Sequence, residues 1–195
     1  MSRAFRVTSA AARCGIALLI LLGAGSTLCG ESFTDQRVKS GIKIFRVILK
    51  GDGDIARKTT PDGAVVLLIT AGDPSSARFA DLLAEVQGSG DRARVAGVPV
   101  IAKIIGLSGL DAQRGPVAGV FVAESLGEDQ LARAVRFGVD RHVITFSPFE
   151  GDVEKGVLCG LSVEAKLVPF INMRTLKASG ISMSATLLKV AKPYE

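Results

Sequence analysis

Between Asp35 and Leu49 the apolar residues Val38, Ile42, Phe45, Ile48 and Leu49 recur at intervals of three and four. That spacing puts them on one face of an amphipathic helix. Thr34 or Asp35 is the expected N-cap, and the run KGDGD ends the helix. Lys39, Lys43 and Lys50 read as a solvated face, and Asp52 and Asp54 as part of a turn.

The pattern then changes. AVVLLIT, Ala64–Thr70, is a continuous apolar run, which predicts a central parallel strand covered on both faces. AGDPSS follows, then ARFADLLAEV, whose Phe79, Leu82, Leu83 and Val86 form a second helical stripe. Strand, tight turn and helix make a βα unit. Further strands are predicted over 99–107 and 117–124. A helix is predicted in GEDQLARAVRFG with Leu131 and Val135 inward, and a strand in RHVITFS.

After Ser147 the rhythm differs. GVLCGLSV and KLVPFIN are two extended runs joined by only Glu164 and Ala165, which predicts an antiparallel hairpin. Pro169 cannot donate to a ladder, so its strand belongs at a sheet edge or beside a bulge. A short helix around 173–178, a break at Gly180 and a last helix capped by Ser182 complete the chain. Leu187, Leu188, Val190 and Ala191 are the apolar content of that last helix, and its Leu-Leu pair is assigned to the core. The expected fold is α/β: a three-layer sandwich with a mostly parallel sheet, an antiparallel C-terminal hairpin and helices on both faces.

The first residues change the picture of where the protein works. MSRAFRVTSAAAR is basic, CGIALLILL is apolar and GAGSTLCG is small and neutral. That order is the pattern of a cleaved secretory signal. The expected organisation is a signal peptide over 1–30 and one α/β domain over 31–195, with export to the periplasm. The formal net charge is +5, but Arg3, Arg6 and Arg13 belong to the signal; without them 21 positive residues face 19 negative ones. The charges are interspersed, so a nucleic-acid footprint is not supported. Once Cys14 and Cys29 leave with the signal, Cys159 has no internal disulfide partner.

Candidate chemistry is sparse. TAGDPSSAR follows a strand and opens a helix, where backbone amides attract anions, so Gly72, Asp73, Ser75 and Ser76 form a candidate ligand loop. The loop lacks the phosphate-loop lysine and the G-x-G-x-x-G spacing. Asp73 would repel a phosphate, and Asp73 or Ser75 serves as well as a helix cap. His142 is the single histidine, beginning a strand; it could act as a base if Ser108 or Ser147 lay near it, yet GLSGL is not G-x-S-x-G. Cys159 sits mid-strand as a buried thiol. No metal-ligand cluster, cofactor motif or catalytic residue emerges, so binding is expected rather than turnover.

The second half, HVITFSPFEGDVEKGVLCGLSVEAKLVPFINMRTLKASGISMSATLLKVAK, resembles the C-terminal half of the YfiR-like family of exported bacterial proteins. The resemblance rests on Gly156, Lys166, Ile171-Asn172, Gly180, Ile181-Ser182, Leu187-Leu188 and Ala191, in shared order and spacing. The family's aromatic segment near the first helix is replaced here by ILKGDGD, and the chain has no Trp. The resemblance implies a periplasmic regulatory protein, dimeric, that represses an inner-membrane signalling protein such as a diguanylate cyclase, and so acts on cyclic-di-GMP signalling and biofilm formation. On that reading the partner surface runs from Phe149 through the hairpin, with Phe149, Glu150, Lys155, Gly156, Phe170 and Asn172 as its residues. A periplasmic small-molecule sensor or solute-binding component is the alternative.

Overall fold

The computed structural model describes residues 33–72, 75, 78–164 and 166–195. The expected signal peptide, with Cys14 and Cys29, lies outside them, as do Asp73 and Ser76. Helix α1 (Phe33–Lys50) takes in Thr34 and Asp35 rather than being capped by them. All five residues of its predicted stripe are buried, at 5% exposure or less. The chain leaves the helix at Gly51, where a Cβ would lie 2.6 Å from Leu187 Cδ2.

Strand β1 (Val65–Thr70) is buried at all six positions. Its alternation feeds two cores. Val65, Leu67 and Ile69 meet α1 and helix α2 (Arg78–Gln87), while Val66 and Leu68 face the other side of the sheet. The remaining strands are β2 (Arg94–Val95), β3 (Val98–Ile105), β4 (Gly119–Val122), β5 (Ile144–Ser147), β6 (Cys159–Val163), β7 (Leu167–Asn172) and β8 (Lys192–Tyr194). They form one sheet in the order β2-β3-β1-β4-β5-β6-β7-β8. Strands β3, β1, β4, β5 and β6 are parallel throughout; β2 against β3 and β6 against β7 are antiparallel, and β8 runs parallel to β7. The second core lies under helices α3 (Leu107–Ala112) and α4 (Glu128–Arg141), through Leu110, Ala134 and Phe137. Two helices follow the hairpin, α5 (Met173–Ser179) and α6 (Ala185–Val190). The three-layer sandwich with its C-terminal hairpin is therefore the architecture. Among the described residues no helix is long and apolar enough to cross a membrane.

Several local expectations are corrected. His142 does not begin a strand: helix α4 runs to Arg141, and His142 caps it in the left-handed region at φ 55°. Its Nδ1 lies 2.6 Å from the carbonyl of Ser179. Val135 is half-buried, and Leu131, Ala134, Phe137 and Gly138 carry the packing instead. Ser184, not Ser182, caps α6, accepting from the Leu187 amide. Leu187 is core at 5% exposure, whereas Leu188 is only partly buried against it. Strand β7 is not the edge of the sheet, because β8 pairs with Phe170, Ile171 and Asn172. That register leaves the Pro169 half of β7 without a strand on its outer side, where a missing amide costs no ladder bond.

Candidate functional site

The segment between β5 and β6 carries most of the expected partner residues, and buried polar contacts fix its shape. Ser147 is fully buried; its hydroxyl donates to Asp152 Oδ2 at 2.5 Å and accepts from the Phe149 amide at 3.2 Å. The Val157 amide donates to the Asp152 carbonyl at 3.0 Å. Arg37, from α1, donates its Nε–H to the carbonyl of Pro148. Gly151 and Gly156 have φ of 82° and 111°, which side chains other than glycine rarely adopt.

Above this base lies a cleft of about 260 Å³. Phe149, Glu150 and Glu154 of the loop form one wall, and Val163, Phe170 and Lys192 of the hairpin and β8 form the other, with Arg37 between them. Phe149 is half-buried and rests on the main core, while Glu150 is exposed. A second, shallower groove of about 170 Å³ adjoins it and shares Arg37, Leu161 and Val163, adding Leu167. Val163 and Leu167 are 59% and 43% exposed, so an apolar patch stands open beside the cleft. The rim is charged. Lys192 Nζ bonds Glu164 Oε1 at 2.9 Å, which holds the Glu164 carboxyl below its ordinary range, and lies 5.6 Å from the Phe170 ring centre. The cleft thus joins an exposed apolar patch to a rim of mixed charge.

Of the six expected partner residues, the fold brings Phe149, Glu150 and Phe170 together. Lys155 is exposed on the same loop but outside the cleft lining. Gly156 and Asn172 are structural. Gly156 makes a turn against Val135, and its carbonyl accepts from Thr175 Oγ1 at 2.9 Å. Asn172 is 3% exposed; its Oδ1 accepts from the Thr175 amide, capping α5, and its Nδ2 donates to the Val153 carbonyl at 2.7 Å. Sequence reasoning missed Arg37, Val163, Leu167 and Lys192. The alternation of the hairpin strands was the available signal for Val163 and Leu167; nothing local marked Arg37, which meets Pro148 across 111 residues.

The candidate ligand loop fares differently. The Gly72 amide donates to Glu124 Oε2 at 2.6 Å, so the chain's own carboxylate already takes the donor an anion would use. Ser75 is exposed. Near the C-terminal ends of β1 and β4, where the strand order changes direction, a cavity of about 220 Å³ is lined by Asp35, Val38, Lys39, Phe79, Asp81, Leu82 and Ala123. The condition for His142 to act as a base is not met: Ser147 is bonded to Asp152 within the core, and Ser108 is exposed on α3. Cys159 is a free, fully buried thiol whose pKa burial raises, which disfavours the thiolate. Among the described residues no three His, Cys, Asp or Glu side chains group to hold a metal.

Burial raises the Asp152 carboxyl above its ordinary value, opposed by the Ser147 hydroxyl and Lys155 and reinforced by Glu154. The fold thus favours the neutral acid. Stability from this group is present below the ordinary carboxyl value, about 4, and is lost as pH rises through the raised one. Asp152→Asn is expected to remove that slope. In urea titrations at stepped pH, the variant should match wild type in acid and gain on it towards neutrality; a constant difference would show that Asp152 ionises normally.

The chain matches no family model and no curated protein. Among solved structures it resembles the crystal structure of a conserved domain protein from Vibrio cholerae O1 biovar El Tor strain N16961, at 10% identity and a TM-score of 0.47. The likeness covers 81% of this chain and 60% of that one, so this chain spans about three fifths of that protein's length.

Proposed function

We propose that this chain is a non-catalytic regulatory binding protein that docks a protein partner in the cleft between the 148–156 loop and the β6–β7 hairpin. The observation that carries the reading is the junction of that cleft with the exposed Val163 and Leu167, inside a rim of Arg37, Glu150, Glu154 and Lys192. Taken with the YfiR-like resemblance, the partner is the outer part of an inner-membrane signalling protein such as a diguanylate cyclase, met in the periplasm after export. Repression then needs only that the chain bind one state of the partner more tightly than the other.

The test is binding of purified variants to the outer domain of such a cyclase, with thermal melts alongside. Phe149→Ala is expected to weaken binding by about 1–2 kcal/mol. Because Phe149 also touches the core, Val163→Asp is the cleaner probe; it should weaken binding with an unchanged melting temperature. Glu150→Lys should act mainly on association rate and salt dependence. Normal binding by Val163→Asp and Phe149→Ala would remove this cleft from the interface.

A second reading, small-molecule sensing, draws on the cavity beside Ala123, since open α/β sheets place ligands where the strand order reverses. A melting shift produced by a small metabolite without any protein partner would favour it.

A further inference from the structure

The two rims of the sheet are built differently. On one side the sheet ends in β8, three residues long with Pro193 at its centre, and the next strand presents Pro169 on the stretch β8 leaves uncovered. Short strands and prolines of this kind discourage added strands. The other side ends in an even shorter strand, the two-residue β2, and Pro99 lies under it, but most of β3 is left uncovered. Strand β3 pairs with β1 from Val100 to Ile105, but β2 covers its outer edge only at Val98 and Pro99. Beyond Pro99 no strand of the described residues lies outside it.

The register shows which backbone groups stand on that rim. The Ala71 amide donates to the Ile105 carbonyl, so Ile105, and with it Lys103 and Ile101, turn both backbone groups towards β1. Ala102 and Ile104 therefore direct their N–H and C=O outward. The run from Val100 to Ile105 contains no proline or glycine, and its pairing with β1 is unbroken. Val100 and Ile104 face the core yet are only half-buried, unlike the buried Val65 and Ile69 of β1. On the other face Ile101 is 37% exposed and Lys103 is exposed.

We propose that the outer edge of β3 is a second docking site, filled by an extended acidic segment of a protein partner that adds a strand to the sheet. Backbone bonds at Ala102 and Ile104 hold such a segment, and alternate side chains set its identity. Charge decides between a foreign strand and a second copy. Two copies pairing antiparallel about Ala102, Lys103 or Ile104 would set their Lys103 side chains opposite or diagonal to each other, and like charges so placed are unfavourable. A carboxylate opposite Lys103 is favoured instead, and exposed Arg94 on β2 adds to the same field.

The probes are two synthetic peptides, one alternating valine with glutamate and one alternating valine with lysine. Hydrogen exchange on the full chain should find the Ala102 and Ile104 amides fast, with Ile101, Lys103 and Ile105 protected by β1. The valine–glutamate peptide should slow Ala102 and Ile104 specifically. It should bind about three- to fivefold tighter than the lysine peptide, and Lys103→Glu, an exposed change, should reverse that preference without altering the melt. Protection of Ala102 and Ile104 already in the free protein would mean that a second copy or another part of this chain covers the rim. That result overturns the proposal, as does a failure of either peptide to protect them. Equal affinity for the two peptides overturns the acidic occupant.

Discussion

Phe45→Ala is expected to lower the unfolding free energy by about 3–5 kcal/mol. Phe45 is fully buried, with ring centres 5.6 Å from Phe121 and 5.5 Å from Phe146. Those two rings stack on each other at 5.5 Å, so the three form the joint between α1 and the centre of the sheet. Gly119 completes it, since a Cβ there would stand 2.6 Å from Phe45 Cζ. The floor of the site is backbone held by pairing on both sides of β4, so little can move in to refill the space. Val47→Ala is the control: Val47 lies on the same helix, 49% exposed, and should change stability by less than about 0.5 kcal/mol. Urea denaturation of both variants checks the pair. A cost near that of the control would mean that α1 is not anchored through this aromatic cluster.

The second large effect is expected at the end of α1. Lys58→Met should destabilise by about 3 kcal/mol or more, because it strands a buried carboxylate. Sequence reasoning assigned Asp52 to a turn. In the fold its side chain is fully buried, with Lys58 Nζ at 2.6 Å and the Asp54 amide at 2.9 Å. Asp52 also bridges to Met183, and the Gly53 amide donates to the Ser182 carbonyl at 2.8 Å. The ion pair therefore sits under the contact between the 51–54 turn and the segment before α6. Methionine keeps most of the apolar stem of lysine and removes the ammonium with its charge and donors. Asp52→Asn combined with Lys58→Met should recover much of the loss, since neither charge is then left alone. Additive losses in the double variant would show that the pair is not coupled.

The parts of this protein that were legible in the chain are those whose signal is local and repeated. The Val38–Leu49 stripe, the unbroken AVVLLIT run, the two-residue gap at Glu164-Ala165 and the break at Gly180 each encode an element through periodicity or turn chemistry within a few residues. Layer order and the antiparallel hairpin follow from them. Strands β2 and β8 were not legible, because two or three residues carry no period and exist as strands only through pairing with distant partners. The β2–β3 turn was equally quiet: it is made by Ala96 and Gly97, with φ of 51° and 81°, rather than by an asparagine–glycine pair.

The site divides along the same line. Phe149 and Glu150 were visible as an aromatic and a charge in a glycine-bounded loop, and Phe170 as part of the hairpin. Their meeting in one cleft with Arg37 and Lys192 depends on α1 crossing to Pro148 and on β8 returning beside β7. Asn172 and Asp52 show the converse. Both are polar residues beside turns, where sequence favours exposure, and both are buried by distant segments: Asn172 bonds the Val153 carbonyl 19 residues away, and Asp52 lies under the segment that carries Met183. The sequence by itself determined the elements, their alternation and the polar loop, since these depend on neighbours in the chain. Only the tertiary structure decided which polar groups are paired inside and which apolar ones stay outside at Val163, Leu167 and the rim of β3. Burial and pairing are properties of contacts between residues far apart in sequence, and no local pattern records them.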